Sequence, residues 1–269
     1  MASIVTDWAK AFRQQHPAVT IEIQATGSRS APPALEQGAA TLGVMSRAMT
    51  AGEKARFARM TGYPPTEFVV GVDKIAMIVH PDNPIERITT VEIDGVFSST
   101  HFCGGEPIKT WAHFMPGSAY QRAEIDPIAR TATSGTHGFF TSNALCGGDL
   151  RAEVARIPGS QAIVQSVARN PLAIGYASIG LVNHSVRVLP VAQGSRYYMP
   201  QEADYPLTRS LYVYFNADAS KGLDPIECAF MRYVLSSKGQ GLLSRHGLLP
   251  LSAGALISQK QALGHLHCA

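Results

Sequence analysis

Pro127-Ile-Ala-Arg130-Thr-Ala-Thr-Ser134-Gly135-Thr136-His137-Gly138-Phe-Phe-Thr-Ser-Asn-Ala-Leu145 reads as a short strand, a turn of small hydroxyl residues and a helix. The apolar run ends at Arg130, Ser134 is a favoured helix N-cap, and residues 137–145 continue as the helix. A strand that feeds a helix through a short turn is a building unit of α/β folds. The same alternation extends outward in both directions. Upstream, residues 19–24 (VTIEIQ) alternate as a half-buried strand does. A proline-started, glycine-stopped helix follows at 32–38, then a strand at 41–46 and a helix at 51–62 closed by Gly62. Residues 68–81 hold two β-rich pieces around Gly71 and Asp73, and 89–97 read as a helix capped by Thr89 or Thr90. Residues 108–111 (IKTW) are a further strand candidate. Downstream, 160–170 form an amphipathic helix with Ile163, Val164 and Val167 on its buried side. Strand or turn material follows at 172–180 and 186–191, a strong strand at 209–215, and a helix pair at 224–247 broken at Ser236–Gly239. The expectation is an α/β architecture with largely parallel sheets.

Composition narrows the class. A chain of 269 residues is long enough for one large core or two modest domains. With 45% hydrophobic and 16% charged residues it is a folded chain, not a disordered one. A net charge of +3 without a dense Lys/Arg run or zinc-finger spacing excludes a nucleic-acid partner. No stretch reaches the length of an apolar membrane span. The opening residues read as an amphipathic helix with Val5, Trp8, Ala9 and Phe12 on one face. Four cysteines, Cys103, Cys146, Cys228 and Cys268, allow three disulfide pairings or four separate thiols, and their spacing lacks the short ligand pair of a zinc site. No linker rich in Gly and Ser separates two domains, so two lobes would have to be joined by ordered segments, best placed at 68–80 and 205–216.

Three segments carry binding chemistry. At 130–136 the free N–H groups of a first helical turn, the hydroxyls of Ser134 and Thr136, the bare backbone of Gly135 and the donor fork of Arg130 together suit a tetrahedral anion. The plain alternative is a serine N-cap on an ordinary helix. At 26–30 (TGSRS), Gly27 and Ser28 stand between a strand and a helix start, where Ser28 can donate both hydroxyl and N–H; Arg29 reads as a surface residue. Ser46 and Arg47 end a strand, the edge at which open α/β sheets bind ligands, and Arg47 is placed either on an oxyanion or on an acid across a cleft. Asp73 lies in an apolar run, so its carboxylate needs donors, either local N–H groups or a protonated ligand. No nucleophile elbow, phosphate-cradling P-loop, Rossmann fingerprint or HExxH spacing occurs, and no acid stands at a spacing that would orient His137, so an enzyme is not expected.

The order of these segments resembles the phosphate-binding proteins of bacterial ABC import systems, within the periplasmic binding protein class. The resemblance rests on TGSRSAPPAL, TLGVMSRAMTAGE, VGVDKIAMIVHPDNP, VFSS, ARTATSGTHGFF, LAIGYASIG, YPLTRSLYVYF and YVLSSKGQGLLSRHGLLPLS, and it covers nearly the whole chain. It implies a two-lobed periplasmic binding protein-like fold of the class II type with two crossover hinge segments. One lobe would be 1–73 with 211–269 and the other 74–210. It implies a monomer that closes on inorganic phosphate between its lobes, uses no cofactor or metal, and delivers the ion to ABC permease subunits. Arg130, Ser134, Gly135 and Thr136 fall on the family's main phosphate motif, and Gly27 and Ser28 on its second loop. Where better-studied members carry an aspartate, this chain has Arg47, so Asp73 or another carboxylate must read the ligand's proton if phosphate is to be preferred to sulfate. In the family a first strand and a donor loop precede the helix found here, with an export signal before them. The expectation is that the chain as given starts after both, that Ser3 partly substitutes for the loop, and that the protein works in the periplasm or at the cell surface. In that oxidising setting the preferred disulfides are Cys103–Cys146 and Cys228–Cys268. The alternatives kept are sulfate or another tetrahedral oxyanion such as arsenate, and a phosphate sensor or scavenger outside transport.

Overall fold

In the computed structural model, which describes residues 1–269 apart from Ser118, His267 and Ala269, the chain begins with α1 (Ala2–Gln15). Its buried face carries Ile4, Val5, Trp8, Ala9 and Phe12, the stripe expected from the spacing. Residues 19–24 form no strand. The alternation holds only in part: Val19 and Ile21 pack on the core and Glu22 and Gln24 are exposed, but Ile23 is exposed as well. Among the described residues no neighbouring strand pairs with this segment, and a side-chain pattern without a ladder does not make a strand. Next come α2 (Ala31–Glu36), β1 (Leu42–Met45) and α3 (Ala51–Thr61). The last starts with a Thr50–Glu53 capping box and stops at Gly62, whose φ of 86° suits glycine.

β2 runs unbroken from Thr66 to Val79, where the sequence suggested two pieces. Gly71 marks a close approach and not a turn: a Cβ there would lie 3.0 Å from Leu243 Cδ1 and 3.3 Å from the Leu249 carbonyl. The chain then forms β3 (Ile88–Thr89), α4 (Thr90–Phe97, capped by Thr89 and Glu92), β4 (Asp126–Arg130), α5 (Gly135–Ala144) and β5 (Ala155–Ile157). α6 (Ser160–Val167), β6 (Ala173–Ser178), β7 (Arg187–Leu189), β8 (Val191–Gln193) and β9 (Arg196–Tyr198) follow. The IKTW segment is not a strand: Thr110 makes a single bridge to Glu124, and Trp111 opens a 3-10 turn with its indole donating to the Leu172 carbonyl at 3.2 Å. β10 (Thr208–Phe215) leads to α7 (Pro225–Val234), α8 (Ser237–Arg245) and α9 (Ala253–His265). α9 was not expected; of its residues only Leu263 is buried, so it carries no apolar stripe to read.

Contacts divide the chain into two units, Met1–Asp73 with Ser210–Ala269, and Lys74–Arg209. The chain passes from one to the other within β2 and again within β10. In the first unit β1 pairs antiparallel with β10, and Trp8, Phe12, Phe68, Phe215, Phe230 and Met231 lead the core. In the second, β4 lies parallel between β5 and β6, while β6 and β7 pair antiparallel with β2. The sheets are therefore mixed and not largely parallel, because a strand that leaves one unit for the other runs against its neighbours. α6 packs directly on the parallel strands, which Gly175 permits: a Cβ there would stand 2.8 Å from Ile163 Cγ2. Each unit contains one disulfide, Cys103–Cys146 and Cys228–Cys268, the preferred pairing.

Candidate anion-binding site

In the second unit the parallel ladder delivers Arg130 to the C-terminal end of β4, directly before the turn into α5. Its backbone N–H donates to the Tyr176 hydroxyl at 3.1 Å, and its Nη1 donates to Ser160 Oγ at 2.8 Å. Its Nε is buried and has no hydrogen-bond partner. Burial pulls the Arg130 pKa down, the phenol of Tyr176 opposes this, and the positive charge of Arg209 adds to the lowering. A guanidinium nevertheless stays protonated. Tyr176 is held by stacking on Phe140, ring centroids 3.9 Å apart. Burial pushes its phenol up to about 12, against the opposing pull of Arg130, so at neutral pH it is an uncharged acceptor for the Arg130 backbone.

Ser134 caps α5, its Oγ accepting the Thr136 N–H at 3.1 Å. Accepting through the oxygen leaves the hydroxyl proton of Ser134 to donate outward. Thr136 is set the same way: its Oγ1 accepts from Arg209 Nη2 at 2.9 Å. Ser134 and Thr136 are 6% and 5% exposed, so little water reaches these hydroxyls. Arg209, near the start of β10, is itself buried, with its guanidinium 5.6 Å from the centroid of Phe139. A half-buried and a buried guanidinium, two oriented hydroxyls and the free N–H groups of a helix start thus converge on one loop, a set of donors suited to an anion with several acceptor oxygens.

The first unit is arranged differently. Gly27, at φ 107°, turns the chain so that Ser28 Oγ accepts the Ser46 N–H at 3.1 Å and lies 3.3 Å from Ser46 Oγ. Both serines are buried, and Ser30 closes the turn onto the Gly27 carbonyl at 2.7 Å. Arg47 does meet an acid, but a local one. Its two Nη atoms fork onto Glu53 at 2.7 Å each, and Nη1 also donates to the Ala48 carbonyl. Glu53 in turn accepts the Thr50 N–H at 2.8 Å. Burial alone would raise the Glu53 pKa, but Arg47 and Thr50 outweigh it and hold the carboxyl below its ordinary value. Arg47 therefore ties the strand end to the cap of α3. Asp73 is buried in β2, Arg29 is exposed, and Ser3 lies exposed in the first turn of α1 with no hydrogen bond to Ser28 or Ser46. Among the described residues no group of three or more His, Cys, Asp or Glu side chains is placed to hold a metal ion.

Residues 1–238 match the PBP superfamily domain. The chain is 40% identical over 261 residues to the phosphate-binding protein PstS of Pseudomonas aeruginosa, covering 94% of this chain and 81% of that one. It belongs to the PBP superfamily and, within it, to the PstS family. The fold agrees with an ABC-type phosphate transport receptor from Vibrio cholerae (TM-score 0.75, 23% identity, 93% of this chain and 96% of that one). It also agrees with PstS from Borrelia burgdorferi (TM-score 0.60, 19% identity, 94% and 95%).

For this PstS-family chain, sequence reasoning placed Arg130, Ser134, Gly135 and Thr136 in one loop, and the structure keeps them together. It missed Arg209, which was taken only as part of the strand RSLYVYF. The available signal was a guanidinium in an otherwise apolar strand, the same anomaly that drew attention to Asp73.

Proposed function

We propose that the chain binds one inorganic phosphate ion, does no chemistry on it, and delivers it to the permease of an ATP-driven importer. The observation that carries this reading is the α5 loop, where the buried, unpartnered Nε of Arg130 stands with the outward-donating hydroxyls of Ser134 and Thr136. A buried donor without an acceptor costs about 1–3 kcal/mol, a cost that a bound oxyanion removes. In this proposal Arg130, Ser134, Gly135 and Thr136 are the principal contacts, and Gly27, Ser28 and Ser46 supply a second set from the other unit. Arg47 acts as a brace and not as a ligand, because Glu53 already occupies its fork. Asp73 is the proposed acceptor for the proton that distinguishes phosphate from sulfate. The two units act as lobes that close on the ion and open at the permease. A monomer working outside the cytoplasmic membrane completes the reading, and two disulfides fit an oxidising compartment.

Calorimetric titration with phosphate and with sulfate tests it. One-to-one phosphate binding without sulfate heat is the expected result. Comparable binding of both ions removes the role given to Asp73 and leaves a general oxyanion carrier. Absence of phosphate binding overturns the proposal.

A further inference from the structure

We infer that Arg209 is a specificity-determining positioning residue, which orients the Thr136 hydroxyl as a donor and biases the site toward the dianionic form of its ligand. The inference rests on the proposed phosphate function and adds a residue and a charge rule to it.

The geometry starts at Thr136 Oγ1. A hydroxyl that accepts from a guanidinium must direct its own proton elsewhere, and the 2.9 Å contact from Arg209 Nη2 enforces this. The Thr136 N–H is already given to Ser134 Oγ at 3.1 Å, so the hydroxyl is the donor this residue has left to offer. Without Arg209 the Thr136 hydroxyl could rotate and present its oxygen instead. A lone pair facing an oxyanion is repulsive, so the cation fixes the polarity of the contact as well as its position.

Charge gives the second half of the argument. Arg209 is 7% exposed, which limits solvent screening of its field. Arg130 feels that field, since Arg209 is among the causes that lower its pKa. The other titratable groups near this loop are Tyr176, which is neutral below about 12, and His137, next to Thr136 in the chain. The interaction of a cation with its ligand scales with the ligand's charge. Removing Arg209 therefore costs a dianion about twice the free energy it costs a monoanion. As affinities, a loss of about 30-fold for the dianion corresponds to about fivefold for the monoanion.

The experiment measures phosphate affinity by calorimetry at about pH 5 and about pH 8, on either side of the second phosphate ionisation, for the unsubstituted protein, Arg209→Gln and Arg209→Lys. The unsubstituted protein is expected to bind far more tightly at the higher pH. Arg209→Gln is expected to narrow that pH ratio by about fivefold, while Arg209→Lys, which keeps the charge but loses the fork, binds more weakly with the ratio intact. Arg209→Lys keeps a cation beside the same neighbours and so controls for other groups whose charge changes between the two pH values. A loss in Arg209→Gln by the same factor at both pH values overturns the inference and leaves the phosphate reading standing. A flattened ratio in Arg209→Lys overturns it too, and this variant decides the matter if Arg209→Gln does not fold. Thr136→Val tests the positioning: combined with Arg209→Gln it should cost clearly less than the sum of the two single losses, and full additivity would mean that Arg209 does not act through Thr136. An unsubstituted protein that binds no phosphate overturns both readings together.

Discussion

The two units treat arginine in opposite ways. In the second, beside a helix start, the buried Arg209 donates to Thr136 Oγ1 and the half-buried Arg130 donates to Ser160 Oγ. In the first, Arg47 stands at a strand end beside the buried pair Ser28 and Ser46, but Glu53 takes both arms of its fork. One unit sets its guanidiniums among the hydroxyls of its loop, and the other ties its arginine to a local carboxylate and offers hydroxyls alone. The comparison shows that an arginine near an anion-suited loop is informative only once its counter-charge is known. It also assigns unequal shares of binding energy to the two units, and four substitutions measure that inequality.

The largest effect is expected at Arg130. Replacing it by Met keeps much of the aliphatic bulk and removes the guanidinium. Losing a buried, hydrogen-bonded charge partner of an anion costs about 3 kcal/mol, a loss in phosphate affinity of more than about 100-fold. Titration of Arg130→Met against the unsubstituted protein checks this. A loss below tenfold would place the main charge contact elsewhere and remove the asymmetry between the units. The variant also loses the side-chain bond to Ser160 while keeping the backbone bond to Tyr176, so a thermal melt belongs beside the titration to separate affinity from folding.

Much of this contrast was legible in the sequence, and the remainder was hidden for definable reasons. The strand–turn–helix at 127–145 could be read because each step has its own local signal: an apolar run, a serine cap and the helical residues that follow. The capping boxes at Thr50 and Thr89 are equally local, with their glutamates three residues on. What failed depended on partners distant in the chain. Among the described residues no strand pairs with residues 19–24, and the glycine read as a break in β2, Gly71, instead lets the strand run close to Leu243 and Leu249. Arg209 reaches a loop 73 residues away, which no spacing rule reports. The fate of Arg47 lay within reach: Glu53 is six residues downstream, and a carboxylate engaged in a capping box can accept a second donor group.

A smaller effect is expected when the local neutralisation in the first unit is broken. The folded-state pKa of Glu53 lies below its ordinary value, so its contribution to stability is complete above the unfolded pKa and is lost as pH falls through the folded one. Glu53→Gln removes the ion pair and should cost about 1–2 kcal/mol at neutral pH, between the values typical of exposed and buried pairs. The gap in melting temperature between the two proteins should close as the pH is lowered past the ordinary carboxylate range, because the unsubstituted Glu53 then protonates as well. A gap that stays constant into acid would mean that Arg47 is not held by the charge of Glu53. Freed from its acid, Arg47 becomes a cation available to ligands, so Glu53→Gln is also the variant in which sulfate binding is expected to appear. That gain would make the first unit resemble the second and blur the contrast between them.

The smallest effect belongs to Ser28. Its hydroxyl oxygen accepts the Ser46 N–H, so like Ser134 it has a proton to donate, and the arginine near it in the chain, Arg47, is already held by Glu53. A neutral hydrogen bond contributes about 1 kcal/mol, so Ser28→Ala should weaken phosphate binding by about fivefold and leave the fold in place. The Ser46 N–H loses its acceptor at the same time, which adds a cost in the free protein and partly offsets the loss seen in the titration. The informative quantity is therefore the ratio of the Ser28→Ala loss to the Ser134→Ala loss. Both substitutions delete one hydroxyl that accepts a backbone N–H, and they differ in the charge nearby. If the guanidiniums of the second unit strengthen the donors around them, Ser134→Ala must cost more than Ser28→Ala. Equal losses would show that each hydroxyl acts independently of the charge beside it, and the division of labour between the two units would reduce to Arg130 and Arg209 alone.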